Sequence, residues 1–244
     1  MPKLQRPFRL SPNKKQVLRH QLDELLKQGI ISPVTEREDL PITIPVVLVR
    51  KRNKKEQKFM PVSRVASLSL YRFFVDFCYL NSQTKDSQYP IPDLQELTES
   101  FADNPPNYIT CIDLSQGFFQ LPIAPESSKY TAFNTCFGTY QFNRLPMGLR
   151  TSPGTMQLLM DKILHKLTYI SILCYLDDCV IFSSSFEQHL QDLNAVFYKF
   201  RQAGLKLGPK KCSFAKDKCV FLGHLISRDG ISPPPDRVKA VEDY

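Results

Sequence analysis

The chain has 244 residues, of which 42% are hydrophobic and 23% are charged. This composition excludes a disordered or fibrous chain and suits one large globular domain or two small ones. A net charge of +8 is typical of a protein with an anionic partner, most commonly nucleic acid, and is explained equally well by a need for solubility.

The first half of the chain predicts a helix followed by two strands. Ser11 and Pro12 are residues that begin helices, apolar residues then recur at helical spacing, and Gly29 ends the run. Apolar and aromatic runs at 44–49 and 73–75 predict strands. Eight basic residues lie between positions 50 and 72, and such a run alone indicates a solvated hairpin tip more often than a phosphate-contacting surface.

The second half alternates hairpin strands with helices, so an α+β fold is expected. Ser185 and Gln188 fit a capping box at the start of one of these helices. The predicted elements in chain order are strands at 108–112 and 138–145, a core-facing helix at 156–167, strands at 170–176 and 180–182, the capped helix, and a last strand at 219–226.

The seven cysteines are an odd number and include no CxxC pair. We interpret them as buried or free thiols in a reducing compartment, so neither a disulfide framework nor a zinc site is expected. The first residues lack the apolar core of a signal peptide, and no apolar run approaches the roughly 20 residues of a membrane span. These features predict an intracellular protein without a signal peptide or transmembrane segment.

Two adjacent aspartates, Asp177 and Asp178, lie between apolar runs that predict strands. They would occupy a tight hairpin turn, where neighbouring like charges repel each other unless a cation is bound. An acidic surface turn is the simpler alternative, because Asp is common in turns. The pair alone is therefore suggestive and no more.

Asp113 adds a third carboxylate at the end of a separate predicted strand. Phosphoryl transfer to a 3′-hydroxyl uses two Mg²⁺ ions roughly 3.5–4 Å apart, and Mg²⁺ prefers hard oxygen ligands. Carboxylates on adjacent strands can bridge both ions, one activating the hydroxyl and the other stabilising the leaving pyrophosphate. The three aspartates therefore point to a nucleotide-joining site with two Mg²⁺ ions, or with Mn²⁺ as the alternative.

Nine segments resemble, in order, motifs of the reverse transcriptases of Ty3/gypsy-type long-terminal-repeat retrotransposons, which are relatives of the retroviral enzymes. The resemblance covers nearly the whole chain, and so many ordered matches make coincidence negligible. The segments are GIISPV, PVVLVRKR, YRFFVDFCYLN, YPIPD, CIDLSQGFFQLPI, KYTAFNTCFGTYQFNRLPMGLRTSPGTMQ, CYLDDCVIFS, LKLGPKKCSF and FLGHLIS.

The resemblance implies roles for residues at the reaction centre. Asp113 and Asp177 would bridge the metal ions, Asp178 would contribute less, and the Leu114 carbonyl would complete one coordination shell. Lys211 would protonate the leaving pyrophosphate, with the preceding lysine as an equally basic candidate.

Further matches concern the nucleotide and the primer. Arg72 and Lys51 would contact the incoming triphosphate, and Met147 would pack near its base and sugar. Phe118 would act as a steric gate that excludes a 2′-hydroxyl, although ordinary core packing is the simpler explanation of an apolar residue. The primer grip, a hairpin that holds the primer terminus, would be formed by Phe221, Leu222, Gly223 and His224.

The resemblance implies a right-hand polymerase with an antiparallel palm sheet backed by helices, and a thumb that is missing or barely begun. The expected order is fingers in 1–86, palm in 87–128, fingers again in 129–149, and palm with the primer grip in 150–244. Residues 56–70 look like an insertion in the fingers, and Cys78 stands where relatives usually have a basic residue.

The implied function is RNA-directed DNA polymerase, which adds dNTPs to a primer on an RNA template and also copies DNA. Expected partners are a template–primer duplex, dNTPs, and a second copy of the chain or the remainder of a polyprotein, in the cytoplasm or in virus-like particles and without a membrane. The alternative is a truncated, inactive retrotransposon remnant that still binds nucleic acid. The intact aspartates favour activity, and the ordered motifs disfavour a basic structural protein without nucleotide chemistry.

Overall fold

The computed structural model describes residues 3–35, 40–50, 71–87, 89–92, 106–168, 170–235 and 238. Lys51 and the predicted insertion at 56–70 lie outside these residues. The chain divides into two compact units, the first formed by 1–85 and 121–150 and the second by 86–120 and 151–244. The assignment of fingers and palm boundaries within the chain stays a prediction.

The described residues contain strands and helices in alternation. The strands are β1 (Lys3–Leu4), β2 (Ile31–Pro33), β3 (Ile42–Arg50), β4 (Tyr71–Val75), β5 (Tyr108–Asp113), β6 (Phe133–Thr135), β7 (Gly138–Phe142), β8 (Ile172–Tyr175), β9 (Asp178–Ser183), β10 (Ser213–Lys216), β11 (Lys218–Phe221), β12 (His224–Ser227) and β13 (Gly230–Ser232). The helices are α1 (Pro12–Lys27), α2 (Cys78–Gln83), α3 (Pro125–Ser128), α4 (Ser152–Ile163) and α5 (Phe186–Gln202). Three short 3₁₀ turns span Gly117–Gln120, Lys129–Thr131 and Pro209–Lys211.

The first unit is built on one mixed sheet. Its strands pair in the order β1–β3–β6–β7–β2, and β4 pairs with β3 in addition. Strand β3 is buried over most of its length, which is why its sequence is a continuous apolar run rather than an alternating one. Helix α1 begins at Pro12 after Ser11 as predicted, although the Ser11 side chain makes no capping hydrogen bond.

The second unit carries a four-stranded sheet of order β10–β5–β9–β8, in which every pairing is antiparallel. Successive side chains on a strand point to opposite faces, so each strand contributes to both sides of this sheet. One face packs against the small β11–β12–β13 sheet, through a cluster that includes Ile109, Val180, Phe221 and Ile226. Helices α4 and α5 pack against β8 and β9. The expected α+β class is confirmed.

Helix α5 begins with half of the predicted capping box. The Gln188 N–H donates to Ser185 Oγ at 3.2 Å, which satisfies one backbone donor at the helix start. The Gln188 side chain does not return to Ser185, because it donates to Asp192 Oδ1 instead.

The last predicted strand, at 219–226, is wrong. The segment is a hairpin of β11 and β12, because Leu222 and Gly223 both have positive φ, of 49° and 79°. Two consecutive residues with positive φ form the two-residue turn that matches the twist of a hairpin. The predicted helix at 156–167 also ends early, at Ile163, and β10 and β13 were not predicted.

The expectation that all seven cysteines are free thiols is also wrong. Cys111 on β5 and Cys219 on β11 form a disulfide between residues 108 positions apart. They meet because the β11–β12 hairpin packs over β5, and cysteine spacing alone cannot show such a long-range approach. In the described part of the chain, no helix is long and apolar enough to cross a membrane.

Candidate active site

The three predicted aspartates lie at one end of the four-stranded sheet. Asp113 is the last residue of β5 and pairs directly with Asp178, the first residue of β9. Asp177 belongs to the two-residue turn that joins β8 to β9. Asp113 and Asp178 lie on the same face of the sheet as Ile109 and Val180, by the alternation of side chains.

The turn before Asp177 contains a residue in an unfavourable backbone conformation. Leu176 has φ +57°, a left-handed value that costs a non-glycine residue free energy unless its surroundings hold it there. Gln157, buried on α4, supplies that support: its side-chain oxygen accepts from the Leu176 N–H at 2.8 Å, and its NH₂ group donates to the Cys174 carbonyl at 3.2 Å. A single side chain therefore bonds to the backbone of β8 and to that of the turn that follows it.

Gln157 was not identified from the sequence. It lies within an apolar helical stretch that indicated only a core-facing helix. The available signal was an amide among residues that are otherwise apolar, because a buried polar group must have a hydrogen-bond partner. Its NH₂ group is also 2.9 Å from Asp161 Oδ1, and Asp161 in turn accepts from the Tyr89 hydroxyl at 2.6 Å.

Gly117 makes room for Asp177. A Cβ atom at position 117 would lie 2.7 Å from the Asp177 Cβ and 3.0 Å from its Oδ2, which is closer than real side chains approach. Gly208 stands near Asp113 with more space, since a Cβ there would lie 3.4 Å from Asp113 Oδ1. The glycine at 117 is thus a second residue that the sequence analysis missed, although it lies inside the quoted SQGFF segment.

The chain beyond β5 is fastened to the segment before β10. The Gly208 N–H donates to the Asp113 carbonyl at 2.8 Å, and the Ser115 N–H donates to the Lys206 carbonyl at 2.9 Å. The Gln120 side chain reinforces this pairing. Its Nε2 donates to the carbonyls of Ser115 and Lys206, and its Oε1 accepts from the Lys206 N–H at 2.7 Å. This arrangement brings the Pro209–Lys211 turn next to Asp113.

Lys211, and not its predecessor, contacts the Asp113 carboxylate. Its Nζ donates to both oxygens of Asp113, at 3.0 and 2.9 Å. This hydrogen bond, together with the negative charges of the three aspartates, raises the pKa of Lys211. The lysine therefore keeps its proton at neutral pH.

The pKa values of Asp177 and Asp178 are both raised. Burial is the largest cause for each, and the charge of Asp113 adds to it, while Lys211 acts in the opposite direction. Asp178 is further raised by the charge of Asp177. One ammonium group thus leaves the like-charge repulsion of three carboxylates incompletely compensated.

The donor set suits a hard divalent cation. Carboxylate oxygens are the ligands that Mg²⁺ takes, and bound cations relieve carboxylate repulsion of this kind. Within the described residues, no three His, Cys, Asp or Glu side chains already converge as a closed metal site. Each Asp113 oxygen keeps a further lone pair beside its hydrogen bond to Lys211, so this carboxylate can still accept a cation.

The other predicted site residues of the second unit are Leu114, Phe118 and the four residues of the primer grip. Phe118 follows Gly117 in the 3₁₀ turn and is only 8% exposed, and Leu114 directly follows Asp113 and pairs with Leu207. The predicted primer grip forms the hairpin turn between β11 and β12, with the residues Phe221, Leu222, Gly223 and His224.

Two predicted nucleotide contacts lie in the first unit. Arg72 is exposed on β4, where it pairs with Val49 of β3. Met147 is exposed in a turn that Asn81 of α2 holds: Asn81 Nδ2 donates to the Gly148 carbonyl and its Oδ1 accepts from the Arg150 N–H, both at 2.8 Å. Asn81, from the quoted YRFFVDFCYLN segment, is a further supporting residue that the sequence analysis missed.

Comparison with known proteins decides the family. Residues 49–226 match the family model described as reverse transcriptase (RNA-dependent DNA polymerase). The chain belongs to this family. In Drosophila melanogaster it is 37% identical to the retrovirus-related Pol polyprotein from transposon 297 over 92% of the chain, and 33% identical to that from transposon opus over 91%. The corresponding polyprotein from transposon gypsy is 29% identical over 92% of the chain.

These relatives are much longer proteins. The chain spans 20% of the transposon 297 polyprotein, 21% of the opus polyprotein and 20% of the gypsy polyprotein. Among solved structures, a foamy viral protease–reverse transcriptase in complex with double-stranded DNA superposes with a TM-score of 0.81 at 23% identity. The superposition covers the whole of this chain and 39% of that one, and it shows a reverse transcriptase fold.

Proposed function

We propose that this chain catalyses RNA-directed DNA synthesis, adding dNTPs to a primer 3′ end. The observation that carries the proposal is the cluster of three aspartates at one end of the four-stranded sheet, with Asp113 paired to Asp178 and Lys211 bonded to Asp113. Membership of the reverse transcriptase family supports the same chemistry.

The cluster would bind two Mg²⁺ ions, or Mn²⁺ in their place, through Asp113, Asp177 and the Leu114 carbonyl, with a smaller contribution from Asp178. Such ions activate the primer hydroxyl and stabilise the charge on the leaving pyrophosphate. The chain's own residues hold the carboxylates in place: Gln157 fixes the turn before Asp177, as its two backbone contacts show.

Lys211 would supply the proton that the pyrophosphate takes up as its bond to the α-phosphorus breaks. The position of its side chain supports this role, because its Nζ lies within hydrogen-bond distance of Asp113 in the carboxylate cluster. A positioned acid of this kind typically contributes about 10²–10⁴-fold to a rate.

The remaining residues would select and hold the substrates. Arg72 carries an exposed guanidinium suited to a triphosphate, Met147 would pack near the base and sugar, and Phe118 would exclude a 2′-hydroxyl. Lys51 belongs to the same proposal. The template–primer duplex would rest on the hairpin turn at 221–224, and structures of relatives with bound double-stranded DNA or RNA/DNA hybrid support such a partner.

The test is primer extension on a primed RNA template with dNTPs and Mg²⁺. Wild type and an Asp177→Asn/Asp178→Asn double variant are compared with Asp217→Asn, which neutralises an exposed aspartate in the β10–β11 turn. Extension by wild type and Asp217→Asn, but not by the double variant, is the expected result, since the double variant lacks two of the three carboxylates.

The opposite outcomes are equally clear. Equal extension by all three proteins would reject the aspartates as the reaction centre. If none extends the primer while wild type still binds the duplex, the chain is the inactive, nucleic-acid-binding remnant.

A further inference from the structure

A second polar cluster lies on the helix-packed face of the four-stranded sheet. His189 of α5 is completely buried there, and its two ring nitrogens contact hydroxyls on two different strands. Nε2 lies 2.8 Å from Thr110 Oγ1 on β5, and Nδ1 lies 3.0 Å from Ser183 Oγ on β9. These are the strands that end at Asp113 and begin at Asp178.

The direction of each hydrogen bond follows from its neighbours. Ser183 has one hydroxyl proton, which it donates to Asp192 Oδ2 at 2.6 Å, so His189 Nδ1 must carry a proton and donate it to Ser183. In the neutral ring Nε2 is then an acceptor, and the Thr110 hydroxyl donates to it. Burial favours the neutral ring, because it lowers the pKa of His189.

The same Thr110 oxygen accepts a backbone hydrogen bond from β10. In β10, Ser213 pairs with Cys111 and Lys216 pairs with Ile109. Between these two pairs β10 has one residue more than β5, which is a β-bulge. Ala215 lies in this bulge with φ +47°, and its N–H donates to Thr110 Oγ1 at 3.0 Å rather than to the strand ladder. Without that oxygen the N–H of the bulge would lack this partner.

The bulge follows closely on the lysine that contacts the carboxylates. Lys211 lies four residues before Ala215, in the 3₁₀ turn that leads into β10. The register of β10 on β5 therefore fixes this turn on its C-terminal side, as the Gly208–Asp113 hydrogen bond does on its N-terminal side, and both contribute to where the Lys211 ammonium lies. A chain of hydrogen bonds runs from the His189 ring through the Thr110 hydroxyl to the Ala215 N–H in the bulge.

We propose that His189 is a positioning residue for nucleotidyl transfer: by orienting the Thr110 hydroxyl it fixes the β10 bulge and thereby holds Lys211 at Asp113. The role of Lys211 in this proposal rests on the proposed function. A purely structural His189 would stabilise the second unit without any specific effect on Lys211, and the experiment separates these two roles.

The experiment compares His189→Phe, which keeps an aromatic ring but neither nitrogen, with Thr110→Val and with Val196→Ala. Val196 is buried on the same helix and takes no part in the hydrogen-bond chain, so its variant controls for general loss of stability. Thr110→Ser keeps the hydroxyl and is the conservative rescue. All proteins are measured at a temperature at which circular dichroism shows each to be folded.

The first readout is hydrogen–deuterium exchange at the Ala215 amide, which needs no polymerase activity. Exchange is expected to accelerate in His189→Phe and Thr110→Val and to stay near the wild-type rate in Val196→Ala and Thr110→Ser. Unchanged exchange at Ala215 in His189→Phe would overturn the inference even in an active enzyme, so its failure is distinguishable from failure of the proposed function.

The second readout is the rate of dNTP incorporation on a primed RNA template, alone and in a Lys211→Met background. His189→Phe is expected to lower kcat about tenfold with little change in KM, which is less than the full contribution of a general acid. In the Lys211→Met background it should cause no further loss, because both variants remove the same contribution. An equal additional loss in that background would show that His189 does not act through Lys211 and would reject the proposal.

Discussion

The two faces of the four-stranded sheet carry two polar clusters made from the same two strands. On one face the carboxylates of Asp113 and Asp178 lie side by side, partly buried. The pKa values of Asp177 and Asp178 are both raised there. On the other face Thr110 and Ser183 share a fully buried histidine in which each polar atom has a partner.

The difference lies in what each cluster does for stability. The buried hydroxyl–histidine chain is satisfied within the protein, so it stabilises the fold and fixes its register. The carboxylate cluster opposes folding in the absence of a cation, because its members repel one another in a half-buried site. Strand alternation thus places the hydroxyl–histidine cluster and the carboxylate cluster on opposite faces of the same two strands.

The largest expected effect comes from filling the space beside Asp177. Gly117→Ala places a Cβ within 2.7 Å of the Asp177 Cβ, so the carboxylate must shift. A displacement of about 1 Å at a reaction centre can reduce the rate by about 10²-fold, and we expect a loss of this order in primer extension.

Gly208→Ala is the matched comparison for that variant. Its added Cβ would lie at an ordinary contact distance of 3.4 Å from Asp113 Oδ1, so a much smaller loss is expected. Equal losses in the two variants would show that the close approach of Gly117 to Asp177 has no special importance.

A smaller effect is expected from the residue that supports the turn. Gln157→Leu removes the partners of the Leu176 N–H and the Cys174 carbonyl, and an unsatisfied buried group typically costs about 1–3 kcal/mol. Thermal unfolding should show this loss, and primer extension should fall because the turn carries Asp177. Gln157→Glu keeps the acceptor for Leu176 but buries a carboxylate beside Asp161 and the Cys174 carbonyl, so it should be destabilised as well, and an unchanged melting temperature in Gln157→Leu would contradict the assigned contacts.

The smallest effect concerns the pH dependence of stability. The pKa of His189 is lowered by burial, against the opposing charge of Asp192 on the same helix. Between that lowered value and the ordinary value of about 6.5 the unfolded chain binds more protons, so the free energy of unfolding should rise with pH by at most about 1.4 kcal/mol per unit.

Chemical denaturation of wild type and His189→Gln across pH 5 to 8, taken as about the range in which histidines titrate, measures that slope. The contribution of His189 is the difference between the two proteins, since every other side chain is the same in both. Identical slopes would contradict a neutral, buried His189.

Several parts of the fold and the site were predictable from local patterns. The apolar run of β3, the cap at Ser185 and the position of the two aspartates at a hairpin depend on neighbouring residues, and each follows from the sequence. The sequence predicted that the strands carrying Asp113 and Asp178 are adjacent. The register of β5 on β9 then pairs these two residues directly.

Other features depend on contacts that periodicity does not encode. Gln157 bonds to a turn 19 residues away, and Cys111 pairs with Cys219 across 108 residues. The resemblance implied a hairpin at 221–224, but the apolar pattern of 219–226 predicted one strand, because a leucine, a residue with no turn preference, adopts positive φ beside Gly223. Gly117 was visible in the sequence, but its function depends on the side chain that approaches it.

The most direct test of the account compares the thermal stability of wild type and Asp177→Asn, in EDTA and then in Mg²⁺, with Asp217→Asn as the control. Because the pKa of Asp177 is raised in the folded protein, its charge opposes folding at neutral pH, and Asp177→Asn should melt at a higher temperature than wild type in EDTA. Mg²⁺ should then stabilise wild type and Asp217→Asn, by about 1.4 kcal/mol for each tenfold excess over its dissociation constant, and stabilise Asp177→Asn much less. Equal Mg²⁺ stabilisation of all three proteins, or a lower melting temperature of Asp177→Asn in EDTA, would contradict the claim that these carboxylates form the metal site.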